Sequence, residues 1–112
     1  MKTNKEILDD FGRILVYTAY EINYEVLTKN INRNIKSGEL ERKVDTIAKN
    51  SIEGLLFCVL KVFEENEQFK LIYEEDGKQV DLNKISEMLK AELLTEDGWI
   101  ARFSKYAKDE DF

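Results

Sequence analysis

Histidine and proline are both absent from this 112-residue chain, and cysteine occurs once. Without histidine, every Ser–His, Cys–His or His–metal arrangement is excluded, along with the side chain that most readily exchanges protons near neutral pH. Without proline, nothing forces a break inside a long helix. The lone Cys58 can form no internal disulfide, which suits a reducing compartment. It stands between Phe57 and Val59 with no adjacent cation to activate a thiolate, so packing is its expected role. No apolar run approaches the roughly 18 residues of a membrane span, and the segment from Met1 to Asp10 has no apolar signal-peptide core. A cytoplasmic protein away from the membrane is expected. Neither G-x-x-x-x-G-K-S/T nor G-x-G-x-x-G occurs, so a nucleotide phosphate cradle has no sequence support. Asp10-Phe11-Gly12 matches a kinase magnesium triplet in letters only, since no Gly-rich loop, lysine strand or catalytic loop accompanies it.

What is present points to a folded domain. Hydrophobic residues make up 43% of the chain and aromatics 11%, enough for a core, while 36% charged residues solvate the surface. The length suits one domain, 1–112, with 108–112 expected as a mobile tail. The charge is uneven. Residues 1–63 carry ten Lys/Arg against nine Asp/Glu, whereas residues 64–112 carry seven against fourteen, so one half holds the whole deficit of −6.

Residues 39–66 repeat apolar side chains at helical spacing (Val44, Ile47, Ser51, Ile52, Leu55, Val59, Val62), which predicts a buried central helix, with Ser37-Gly38 ending the element before it. Residues 4 to about 29 predict another long helix. Projected at about 100° per residue, it carries two apolar stripes on nearly opposite faces. One stripe is Ile7, Phe11, Ile14, Leu15, Ala19, Ile22 and Val26; the other is Val16, Tyr17, Tyr20, Tyr24, Leu27 and, if the helix lasts, Ile31. Asn30, Asn32 and Asn34 predict fraying before Ser37. From Phe69 to Leu82 the period becomes two around Asp76-Gly77, the signature of a β-hairpin with a type I′ turn that sets Tyr73 opposite Val80 and Leu71 opposite Leu82. That face needs helices to cover it. Asn83 and Thr95 are expected N-caps for two short final helices, one with Ile85, Met88, Leu89 and Leu93, the other with Trp99, Ile100, Phe103, Tyr106 and Ala107. The fold class is thus α+β and mostly α-helical, with two long helices, one β-hairpin and two short C-terminal helices.

Carboxylates are the remaining catalytic material. Glu64 with Glu67, and Glu21 with Glu25, have helical spacings that could share a divalent cation, but Glu87 and Glu92 do not supply a second facing pair. Solvated surface charge is their ordinary fate, so no metal, cofactor or catalytic residue is assigned. Direct nucleic-acid binding is disfavoured by the isoelectric point near 4.8, because the one basic stretch, residues 28–43, nets only +3. The acidic stretch is stronger. Glu64, Glu65, Glu67, Glu74, Glu75, Asp76 and Asp81 against Lys70 and Lys78 net −5, a patch suited to steering a basic protein surface, with Tyr73 or Trp99 as an aromatic anchor. Tyr17, Tyr20 and Tyr24 are the second candidate contact set. Such a stripe is buried within one chain, joins two copies, or receives a partner.

The sequence therefore supports a non-enzymatic, acidic protein-binding module. In its most concrete form it is an inhibitor or immunity-type protein that occludes a basic surface of a partner. The alternatives are a structural homodimer joined through the tyrosine stripe and a carboxylate-based, divalent-metal-dependent enzyme.

Overall fold

The computed structural model describes residues 2–106; Ala107, the expected tail and the Ile7 side chain lie outside the described part. Among the described residues 69% are helical, with one two-stranded antiparallel hairpin, which is the α+β, mostly α arrangement that the periodicities predict. The elements run α1 (Asn4–Leu15), a π-helical segment (Val16–Glu21), α2 (Ile22–Ser37), α3 (Leu40–Glu65), β1 (Ile72–Glu75), β2 (Lys78–Asp81), α4 (Leu82–Ile85), α5 (Ala91–Leu94) and α6 (Trp99–Phe103). Two compact units divide the chain, one ending at Val59 and the other beginning at Leu60.

In the first unit, α1 opens with a capping box. The Thr3 hydroxyl accepts from the Glu6 backbone N–H at 3.1 Å, and the Glu6 carboxylate accepts from the Thr3 N–H at 3.0 Å. Helix then continues through the π-helical segment to Ser37, eight residues beyond the expected limit. The asparagines do not fray it. The Asn34 amide donates to the Asn30 carbonyl at 2.7 Å, Asn34 is buried, and left-handed Gly38 (φ 74°) closes the end. The Glu39 N–H donates to the Asn34 carbonyl at 2.9 Å, and α3 starts at once.

The wider π turn changes which residues point inward, because each residue there advances less around the axis than in an α-helix. Ala19 is buried as expected, but Ile22 and Val26 of the same stripe are about half exposed, and Asn23 and Asn34 take the inner positions instead. Asn23 donates to the Ala19 carbonyl at 2.7 Å and lies against Gly54 of α3. Asn23 is fifteen residues before Gly38 and Gly54 fifteen after Glu39, so α2 and α3 form an antiparallel helical hairpin around that turn. Its seam on α3 includes buried Ile47, Ser51, whose hydroxyl donates to the Ile47 carbonyl at 2.8 Å, and half-buried Cys58.

The second unit packs around Val62, Leu89 and Leu93, all buried. Its β-hairpin has the expected register, with Tyr73 opposite Val80, and the Leu82 N–H donates to the Leu71 carbonyl at 3.0 Å. Asp76 (φ 51°) and Gly77 (φ 79°) both occupy the positive-φ positions that a type I′ turn requires. The expected helical cover is missing from β1, whose four residues are all exposed. The caps also differ from expectation. Asp81, not Asn83, caps α4, accepting from the Asn83 N–H at 3.0 Å. The Asn83 amide instead donates to the Phe63 carbonyl at 2.6 Å, tying the end of the hairpin to α3. The first short helix is interrupted where Ser86 turns extended, and Thr95 ends α5 while Gly98 precedes α6.

The seam and the first cap each lend themselves to measurement. A Cβ on Gly54 would stand 2.7 Å from the Asn23 amide oxygen. Gly54→Ala is expected to be neutral or destabilising in the wild-type chain but to stabilise an Asn23→Ala background by roughly 0.5–1 kcal/mol, the ordinary gain of Ala over Gly in a helix; urea unfolding of the double-mutant cycle measures it. The cap responds to pH. The Thr3 backbone N–H, then its hydroxyl, hold the Glu6 carboxyl below its usual value, and Lys2 and then Arg13 do the same for Asp10. A depressed carboxyl stabilises the fold above its unfolded value and loses that contribution as pH falls through the folded one. Amide exchange over residues 4–10 should therefore accelerate as pH drops below about 4, beyond its intrinsic pH dependence. Thr3→Ala should show weaker protection at neutral pH and a flatter profile.

Candidate functional site

The ten residues singled out from the sequence fall in both units and form two kinds of surface. In the second unit the acids separate by role. Glu64 is structural: its side chain is only 15% exposed, it accepts from the Lys90 N–H at 2.6 Å, and its other oxygen lies 3.6 Å from the Lys90 ammonium. It fastens the end of α3 to the loop before α5. Glu65 is exposed and lies 3.7 Å from Lys61 and 3.9 Å from Lys90, so its charge is partly compensated. Glu67, in the turn after α3, is exposed and has no ion pair among the described residues.

The hairpin presents the remainder. Tyr73 is half exposed on β1, Glu74 accepts from the Gln79 amide at 3.0 Å, and Glu75 and Asp76 are exposed at the turn with no ion pair among the described residues. Three successive carboxylates are thus held by a rigid turn and left to solvent. Trp99, the other anchor considered, is half-buried, whereas Tyr73 is 54% exposed and is the aromatic beside the acids. Between hairpin and α3 lies an open groove of about 470 Å³, lined by Phe63, Glu64, Glu67, Lys70, Asp81 and Lys84 among others. Its charges are of mixed sign. The Asn83 amide oxygen is buried without a hydrogen-bond partner. No group of three or more Asp, Glu, Cys or His side chains is placed to hold a metal ion among the described residues, so the carboxylate-enzyme alternative gains no support.

In the first unit the tyrosines are surface residues. Tyr17, Tyr20 and Tyr24 are 63%, 62% and 60% exposed, and the rings of Tyr20 and Tyr24 stack with centroids 6.2 Å apart and planes 9° from parallel. The sequence did not reveal that α3 is similarly bare: Val44, Ile52, Leu55 and Leu56 are also exposed, although the pattern predicts a buried central helix. The signal was the width of the apolar arc, which a single antiparallel neighbour is too narrow to cover. No helix is long and apolar enough to cross a membrane among the described residues. Comparison with protein-family models, curated proteins and solved structures finds no match to the chain.

The separation of roles is testable. Glu64→Ala removes the charged acceptor of a part-buried backbone N–H and should cost on the order of 1–3 kcal/mol, whereas Glu75→Ala should stay within about 0.5 kcal/mol of wild type in urea unfolding.

Proposed function

We propose that this protein is a non-enzymatic binding module that acts by covering a basic surface of another protein with its acidic β-hairpin. The observation that carries this reading is the run Glu74, Glu75 and Asp76. These acids lie exposed on a turn of fixed geometry, and no described cation neutralises Glu75 or Asp76. With Glu67 they form the core of a segment, residues 64–81, that nets −5. Exposed charge held on a preformed turn loses little conformational entropy on binding and attracts a basic surface over about a Debye length, roughly 10 Å at 0.1 M salt. Tyr73, half exposed beside the acids, supplies apolar contact area for an anchor. Glu64 contributes to holding this surface and not to contact.

The mechanism is occlusion, as in an inhibitor or immunity-type protein. Lys and Arg side chains of the partner that engage an anionic substrate would pair with the hairpin carboxylates instead, closing the basic cleft to its ligand. The reading places the protein in a reducing cytoplasm with its single thiol unpaired.

The test is capture of partners from the native host's extract at low and at high salt, with wild-type protein and the Glu74→Lys/Glu75→Lys variant as parallel baits. Wild type should retain a basic protein at low salt only. The reversed variant should associate on the order of ten-fold or more slowly with that partner while keeping wild-type thermal stability. Equal retention by both baits would sink the acidic-hairpin reading.

A further inference from the structure

The seam of the α2–α3 hairpin mixes buried Ile47 with Ala19, Asn23, Asn34, Ser51 and Gly54, which are small or polar, while Tyr20, Tyr24, Ile52, Leu55 and Leu56 face solvent. On α2 and the turn before it, Tyr20, Tyr24, Leu27 and Ile31 follow one another at intervals of four, three and four, the spacing of a helix-packing stripe. This stripe is displaced from the seam asparagines by roughly 100° or less, and Ile52 and Leu55 are displaced from the α3 seam by a similar angle in the same rotational sense. In two antiparallel right-handed helices, positions displaced in the same sense lie on the same side of the pair. Both stripes therefore form one continuous face. On the opposite side, α2 offers Ile22 and Val26 but α3 offers Thr46, Asn50 and Glu53, so that side is not continuous.

We propose that this face is the seam of a homodimer in which two α2–α3 hairpins close into a four-helix bundle. Three features select a second copy as the occupant. The first is area: with roughly 200 Å² for a fully exposed tyrosine and 150 Å² for a fully exposed aliphatic side chain, the exposed apolar part of the face is on the order of 500 Å² per copy. That is the apolar share, about 65%, of a homodimer interface that takes about 800 Å² from each partner. The second is shape. A neutral, two-helix apolar face requires a partner of the same length and chemistry, and any two-fold axis in the plane of the face supplies one from the chain itself. The third is charge. Residues 1–63 net +1 while residues 64–112 net −7, so the half that carries the face is the half in which two copies meet without repulsion. A basic partner of the kind that suits the acidic hairpin finds nothing to pair with on Tyr20, Tyr24, Ile52, Leu55 or Leu56. The seam thus stands apart from the function proposed above.

The 112-residue chain, studied by light scattering and sedimentation at tens of micromolar, should have twice its 13.2 kDa mass, with little change between low and high salt. Tyr20→Glu should halve that mass and keep the helical circular dichroism. Hydrogen exchange of the wild type at dilute and concentrated protein provides a second readout that needs no variant: protection over residues 16–31 and 44–56 should rise with concentration. A Tyr20→Glu chain that loses its helical signal is judged by that exchange result alone. A monomeric wild type overturns the proposal, whether it leaves the face to a different protein or cosediments with phosphatidylcholine vesicles. So does a dimer that Tyr20→Glu leaves intact, or exchange that is independent of concentration.

Discussion

The close approach of Asn23 to Gly54 determines most of what the first unit can do. Where the pair meets at a glycine and an asparagine, a polar side chain fills the space that a Cβ on Gly54 would enter, and apolar burial in the seam falls to Ile47. The asparagines make this tolerable by satisfying themselves. Asn23 and Asn34 each donate to the carbonyl four residues back, so their amides enter the seam with a partner from their own helix. The consequence is displacement of apolar material. Side chains that an ordinary hairpin would bury between its helices lie beside the seam, where they gather into a face.

The π-helical segment is the local device behind this outcome. A stripe begun by Phe11, Ile14 and Ala19 would continue through Ile22 and Val26 on an unbroken α-helix, and the periodicity leads to that expectation. A wider turn at Val16–Glu21 rotates the face of α2 relative to α1, and Asn23 replaces Ile22 at the inner position. Nothing in the local sequence marks such a turn, since Val-Tyr-Thr-Ala-Tyr-Glu contains no glycine or proline. The element type was therefore legible and its phase was not. The asparagines misled in the same way: their weak intrinsic propensity predicts fraying, but tertiary placement makes Asn23 and Asn34 backbone-bonded seam residues.

Legibility elsewhere depended on how local the determining chemistry is. The β-hairpin register was readable because Asp76-Gly77 supplies the two positive φ angles that fix the turn, and the turn fixes every pair above it. The caps of α4 and α6 were not, because Asp81, Asn83, Thr95 and Gly98 are each suitable caps by residue type and are distinguished by distant contacts, such as the Asn83 amide bond to Phe63. Glu64 shows the limit most clearly. Its sequence neighbourhood is that of a solvated carboxylate, and only the return of Lys90, 26 residues later, makes it a fastener. Glu74, Glu75 and Asp76 could be placed from sequence because a turn of this kind projects its residues whatever the rest of the chain does.

The two surfaces differ in the physics by which they would bind. A neutral face of tyrosine, leucine and isoleucine gains from removing area from water, a contribution that salt leaves intact or strengthens. The hairpin carboxylates gain from Coulomb attraction, which salt screens. Joining two chains through the first would put two acidic hairpins on one particle while adding no repulsion at the seam. A partner offering two basic sites within reach would then bind with an avidity on the order of 10²–10⁴ above that of one hairpin, and a partner with a single site would gain nothing. The charge asymmetry of the chain, near zero in one half and strongly negative in the other, is what allows the two modes to operate independently: the half that would associate with itself carries almost no net charge, and the half that repels its own copies carries the acids that would attract something else.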